Sequence, residues 1–174
     1  FDHKDRIMRE GKPDPNKRKK YYENLYKILK KLEVYYSKKI VVCLHPKNNT
    51  YKLNNDFKDL FCIKYQTEKY ISEANIVVFH EGSSIIQAIV QKKKIINLNG
   101  SILGDYLQKR SDLYTKELEL HQIDIDNSIV ESKDNLDVYM GNSIKNYEQY
   151  IKNNIINDPA KSGISQIIEY LYLK

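Results

Sequence analysis

Asn75-Ile-Val-Val-Phe-His-Glu-Gly-Ser-Ser-Ile-Ile-Gln-Ala-Ile-Val90 is the stretch on which the reading of this chain turns. Asn75 to Phe79 is a short, β-branched apolar run, the composition of a strand buried on both faces. His80-Glu81-Gly82 breaks the run, and Ser83 and Ser84 open a second apolar segment in which Ile85, Ala88 and Ile89 recur at helical spacing and are expected to face inward. The order is strand, tight turn, helix start. Unpaired backbone N–H groups and hydroxyls at a helix start bind anions such as phosphate, so this turn is expected to be an anion site.

Upstream, Ile40-Val-Val-Cys-Leu44 has the same strand composition and ends in His45-Pro46, where proline removes the N–H that a central strand must donate. Two histidines therefore stand at the ends of two predicted strands. In an open α/β sheet that edge is where ligands bind. The rest of the chain keeps the alternation. Pro13-Asp-Pro-Asn16 is a helix-start signature with Asp14 as cap, and Tyr22, Leu25, Tyr26, Leu29, Leu32 and Tyr36 predict a helix over 16–37. Further strands are expected over 60–63, 94–98 and 122–125. Helices are expected over 66–74, with Thr67 as cap, then 83–91, 104–118, 134–140, 143–153 and 162–173. Short buried strands alternating with helices predict an α/β protein with a doubly wound, mostly parallel Rossmann-like sheet, residues 1–174 forming a single domain.

Bulk properties agree with that class. With 174 residues, 30% of them charged and 41% hydrophobic, the chain has the composition of a globular domain with a substantial core. No apolar run approaches the roughly 18 residues of a membrane span, and the N-terminus lacks a signal-peptide core, so a cytoplasmic protein is expected, at most peripheral to the membrane's inner face. Phe1 in place of an initiator methionine predicts a piece of a longer chain. The excess of 29 Lys and Arg over 23 Asp and Glu favours anionic partners, but the lysines are scattered and the run Lys17-Arg18-Lys19-Lys20 reads as a solvated helix face. Cys43 and Cys62 lie in apolar runs and read as buried thiols, and no Cys-x-x-Cys or His-x-x-x-His spacing points to a metal.

His80-Glu81-Gly82-Ser83-Ser84 is neither the Gly-x-Gly-x-x-Gly fingerprint nor a P-loop. Read alone, the serines could be helix caps and each histidine a structural hydrogen-bonding residue. As an ordered pair, the two motifs resemble the C-terminal, donor-binding half of GT-B glycosyltransferases. They are most similar to bacterial capsule and surface-polysaccharide enzymes with an HP and an SS motif, such as polysialyltransferases and related sialyltransferases, and to CDP-glycerol glycerophosphotransferases. The likeness covers about residues 22–98 and, less distinctly, the last predicted helix. It implies a metal-independent glycosyltransferase with no bound cofactor. Its co-substrate would be a nucleotide-activated sugar donor, of the CMP or CDP type by preference, and its acceptor a glycan or a lipid-linked sugar.

By the same resemblance, His45 of the His45-Pro46 motif would contact the donor phosphate, and Ser83 and Ser84 would bind it through hydroxyls and backbone N–H groups. His80, Glu81 and Gly82 form the adjoining turn. Lys47, Lys64, Lys109 and Arg110 are candidates for added positive charge. The general base would come from an N-terminal domain of the same chain; Asp2, His3 and Glu10 precede the first helix, and no catalytic residue is assigned among them. Two other classes stay open. One is a 2-epimerase-like enzyme acting on UDP-sugars. The other is a non-catalytic basic α/β module, for which no RNA-stacking or helix-turn-helix signal exists, so nucleic acid is not an expected partner.

Overall fold

The computed structural model describes residues 11–12, 14–47, 56–57, 59–80 and 82–154. Within them the chain is an α/β protein with small parallel sheets and intervening helices, an arrangement compatible with a Rossmann-like fold. Helix α1 (Pro15–Tyr36) begins as its sequence demands: the Asp14 carboxylate accepts the Asn16 N–H at 2.7 Å, and Pro15 occupies the first turn, where a missing N–H costs nothing. It ends where Ser37 takes a left-handed conformation, φ 49°. Then come β1 (Val41–Cys43), β2 (Phe61–Ile63), α2 (Thr67–Glu73), β3 (Ile76–Phe79), α3 (Ile85–Val90) and β4 (Lys94–Asn99). A 3-10 turn (Ser101–Leu103), α4 (Asp105–Leu118), β5 (His121–Asp124), α5 (Lys133–Ile144) and α6 (Tyr147–Asn154) complete the described elements. The helix expected over 162–173 lies outside the described residues.

Strand pairing differs from the single sheet that the alternation led us to expect. Among the described residues β1 pairs in parallel with β2, and β3, β4 and β5 form a separate parallel sheet in that order. β1 and β2 are only three residues each, so the ladder they offer a further partner is short. Val41, Val42 and Cys43 of β1 and Ile76, Val77 and Val78 of β3 line one cleft instead.

Helix α1 ties the two sheets together. Its Ile28, Leu29 and Leu32 share a buried cluster with Leu44 after β1, Leu60 before β2, and Ile96 and Leu98 of β4. Val42, Ile76 and Val78 pack against the same cluster. A second cluster joins Phe79 of β3 and Ile95 of β4 to Ile85, Ala88 and Ile89 of α3 and Tyr147 of α6. Successive residues of β3 thus alternate between the two clusters, as the two-residue period of a strand requires. The inward face expected for α3 is the one observed, with Ile85, Ala88 and Ile89 all fully buried.

Polar residues inside β4 lock α4 onto the sheet. Asn97 is fully buried and its amide nitrogen donates to the Ser111 hydroxyl at 2.8 Å and the Thr115 hydroxyl at 2.6 Å. Asn99 donates to the Asp112 carboxylate at 2.6 Å. Because these amides are paired, a strand of otherwise apolar composition tolerates them. The following loop is held by Asp126, whose carboxylate accepts the Ser101 N–H at 2.7 Å and the Ile102 N–H at 3.0 Å.

Three smaller expectations need correction. Arg18 does not belong to a solvated run: it forms a two-pronged pair with Asp56 and lies over the Tyr22 ring at 4.6 Å, because α1 packs this turn against the segment preceding β2. Cys43 is exposed, since β1 borders the cleft, and Cys62 of β2 is half-buried. Gln66, not Thr67, is the residue preceding α2, and it makes no side-chain cap.

His121 opens β5 and is buried, stacked on Tyr139 of α5 with centroids 4.6 Å apart. Its Nε2 has no hydrogen-bond partner among the described residues. Burial holds its pKa below the ordinary 6.5, against a smaller opposing pull from Glu131. The unfolded chain therefore binds the proton more tightly than the folded one, so stability contributed by the neutral ring is lost as pH falls below 6.5. The urea midpoint of the wild type should drop between about pH 6.5 and 5, and His121→Phe should flatten that drop. Equal slopes for the two proteins would contradict the assignment.

Candidate functional site

The ends of β1 and β3 border one cleft of about 1380 Å³. His45 and Pro46 line it from the β1 side, and His80, Gly82, Ser83 and Ser84 from the β3 side. Glu81 lies outside the described residues, as do Asp2, His3 and Glu10. Both turns directly follow their strands, and the cleft they border continues along β1 from Lys38 and along β3 from Ala74.

Each turn has a local cause. Past β1, Leu44 still donates its N–H to the Ile63 carbonyl at 2.8 Å, and Pro46 then ends the pairing. The Lys47 N–H donates to Nδ1 of His45 at 3.2 Å. Nδ1 therefore acts as an acceptor, which places the proton of the neutral ring on Nε2. Lys64, two residues beyond Phe61-Cys62, donates its ammonium to the Pro46 carbonyl at 3.3 Å and fixes the turn from the neighbouring strand.

At the β3 end, Gly82 has φ +136°, a conformation that L side chains rarely adopt, while a Cβ there would find the Ser84 hydroxyl at an ordinary 3.9 Å. The requirement for glycine is thus conformational rather than spatial. Ser83 is exposed and Ser84 half-buried. Ser84 immediately precedes α3 with helical dihedrals, φ −63° and ψ −18°, and its hydroxyl makes no capping bond.

The helix start itself differs from the expectation of unpaired N–H groups. Ile85 and Ile86 already donate to the carbonyls of Gly82 and Ser83, at 3.4 and 3.1 Å, and α3 is only six residues long. Its dipole is correspondingly small. An anion at this edge would be met by the serine hydroxyls and the backbone of the turn, not by the helix end.

Of the four cations named from sequence, Arg110 of α4 lines the cleft, its guanidinium donating to the Tyr106 hydroxyl at 3.1 Å. Lys47, Lys64 and Lys109 do not line it. Lys64 acts on the His45-Pro46 turn, as described. Among the described residues no group of three or more His, Cys, Asp or Glu side chains is placed to hold a metal ion, and no helix is long and apolar enough to cross a membrane.

Sequence reasoning missed Tyr21. Its hydroxyl meets Nε2 of His80 at 3.1 Å, and the two rings stand edge to face at 6.1 Å. This contact braces His80 from α1 at the cleft wall. A signal was present: Tyr21 and Ile28 join Leu25 and Leu32 at helical spacing and widen the buried stripe. Tyr36, further along the same helix, also lines the cleft, and burial together with Asp137 pushes its phenol up to about 12, so it is neutral near pH 7.

No family model, no curated protein and no solved structure matches this chain.

Proposed function

We propose that this chain is the donor-binding domain of a GT-B glycosyltransferase of surface or capsular polysaccharide synthesis, one half of a doubly wound pair of Rossmann-like domains, and that it takes a CMP- or CDP-activated sugar. The observation that carries the reading is the shared cleft. Two short motifs, His45-Pro46 and His80 with Gly82-Ser83-Ser84, each weak alone, border a single cleft that also runs along β1 and β3.

In this reading Nε2–H of His45 and the hydroxyls of Ser83 and Ser84 donate to the oxygens of the donor phosphate. As the glycosidic bond to the sugar breaks, negative charge grows on those oxygens. Donors already fixed in place stabilise that charge without reorganising. Arg110 adds a permanent positive charge at the cleft wall. Tyr21 keeps the His80 ring oriented, and Lys64 keeps the His45-Pro46 turn in place. Activation of the acceptor hydroxyl falls to the N-terminal domain, and the product would be a glycan or lipid-linked sugar extended by one residue.

Calorimetric titration with CMP, CDP, UDP and GDP tests the reading. Cytidine nucleotides should bind best, and His45→Ala should weaken CMP about tenfold or more, the usual loss of a hydrogen bond to a charged group. Preference for UDP would favour the epimerase class instead. Absence of binding at millimolar concentration for every nucleotide would overturn the proposal.

A further inference from the structure

We propose that Tyr65 is the platform on which the ligand's aromatic base stacks, an assignment that rests on the donor-site reading above and names the group that selects a nucleoside. Tyr65 lines the cleft yet is 78% exposed. Among the described residues its ring makes no aromatic, ionic or hydrogen-bond contact. A large amphipathic ring left uncovered in a concave site is the side chain best suited to a flat, uncharged ligand group.

Its backbone sharpens the case. Five described residues other than glycine have positive φ. Ser37 and Glu119 end helices, Lys92 follows the end of α3, and Ser128 closes a turn by donating to the Asp124 carbonyl. Tyr65, at φ 60°, ends no helix; it joins β2 to α2. Bulky residues are rare in that conformation.

Register places it beside the phosphate turn. β1 and β2 run in parallel with Cys43 opposite Ile63. Tyr65 and His45 each follow that last pair by two residues, and both line the cleft. The Lys64 to Pro46 hydrogen bond continues the contact beyond the ladder. A phosphate held at His45 thus leaves its nucleoside within reach of Tyr65, and a base stacks on an aromatic face whatever its identity.

The test pairs a side-chain change with a ligand change. Tyr65→Gly and Tyr65→Phe are titrated with CMP and with ribose 5-phosphate, which keeps the phosphate and sugar and lacks the base, with binding read from amide shifts. Tyr65→Gly should weaken CMP about tenfold and leave ribose 5-phosphate unchanged, while Tyr65→Phe keeps wild-type affinity for both. Tyr65→Gly should also raise the urea midpoint by releasing the left-handed tyrosine, which shows that lost affinity is not lost folding. Unchanged CMP affinity in Tyr65→Gly, or an equal loss for both ligands, overturns the assignment to Tyr65 and leaves the donor site standing. Failure of the wild type to bind either ligand overturns the donor site and this assignment together.

Discussion

Ser84→Asp should abolish CMP binding, a loss of more than about hundredfold, while the protein stays folded. Ser84 is half-buried at the cleft edge and its hydroxyl has no capping role to lose. Its dihedrals are already helical, so a carboxylate fits the backbone without strain. At the start of so short a helix the dipole is small, and an aspartate is close to neutral for folding. Toward a bound phosphate it is repulsive: two like charges about 4 Å apart repel by about 4 kcal/mol at an effective dielectric constant of 20. Screening reduces this, and hundredfold is the loss that remains. Ser84→Ala, which removes a donor without adding a charge, should cost only about tenfold. Calorimetry and urea unfolding on the same samples check both halves. A Ser84→Asp protein that binds CMP as the wild type does would remove the phosphate from this turn.

The largest stability effect is expected at Ile28. Its side chain is fully buried in the cluster that α1 shares with both sheets, and it does not line the cleft. Ile28→Ala deletes buried methyl and methylene groups and leaves a cavity, at a cost of about 2–5 kcal/mol. Set against the 5–15 kcal/mol typical of a domain, that is a large share of the total. Val34, six residues further along the same helix, is 73% exposed and serves as control: Val34→Ala should change stability by less than about 0.5 kcal/mol. Urea denaturation of the two variants checks the contrast. Equal losses would mean that α1 does not bridge the sheets in this way.

Much of the fold could be read locally. Asp14 and Pro15 announced the start of α1, the β-branched runs announced the strands, and the spacing of Ile85, Ala88 and Ile89 gave the buried face of α3. Those signals depend only on neighbours in sequence. Pairing does not, which is why a single continuous sheet was the expectation and a separate β1–β2 pair is the finding. The same blindness misplaced Cys43: an apolar strand reads as buried whether its open edge meets another strand or a cleft.

The two motifs that border the cleft were legible because proline and glycine mark strand ends for conformational reasons that a sequence displays. Their supporting residues were not. Tyr21 braces His80 across 59 positions, and Lys64 reaches Pro46 from the adjacent strand. Neither side chain differs in type from the many other tyrosines and lysines of the chain. Arg110, one of four cations named, is the one that lines the cleft, and only the packing of α4 against β4 distinguishes it.

Amide chemical-shift mapping during a CMP titration tests the central claim most directly. If one phosphate is held between the two strand ends, the N–H signals of Gly82, Ser83 and Ser84 and that of Lys47, which reports on His45, should shift together along one binding curve. Shifts confined to one of the two edges, or scattered over exposed lysines such as Lys19 and Lys109, would contradict it.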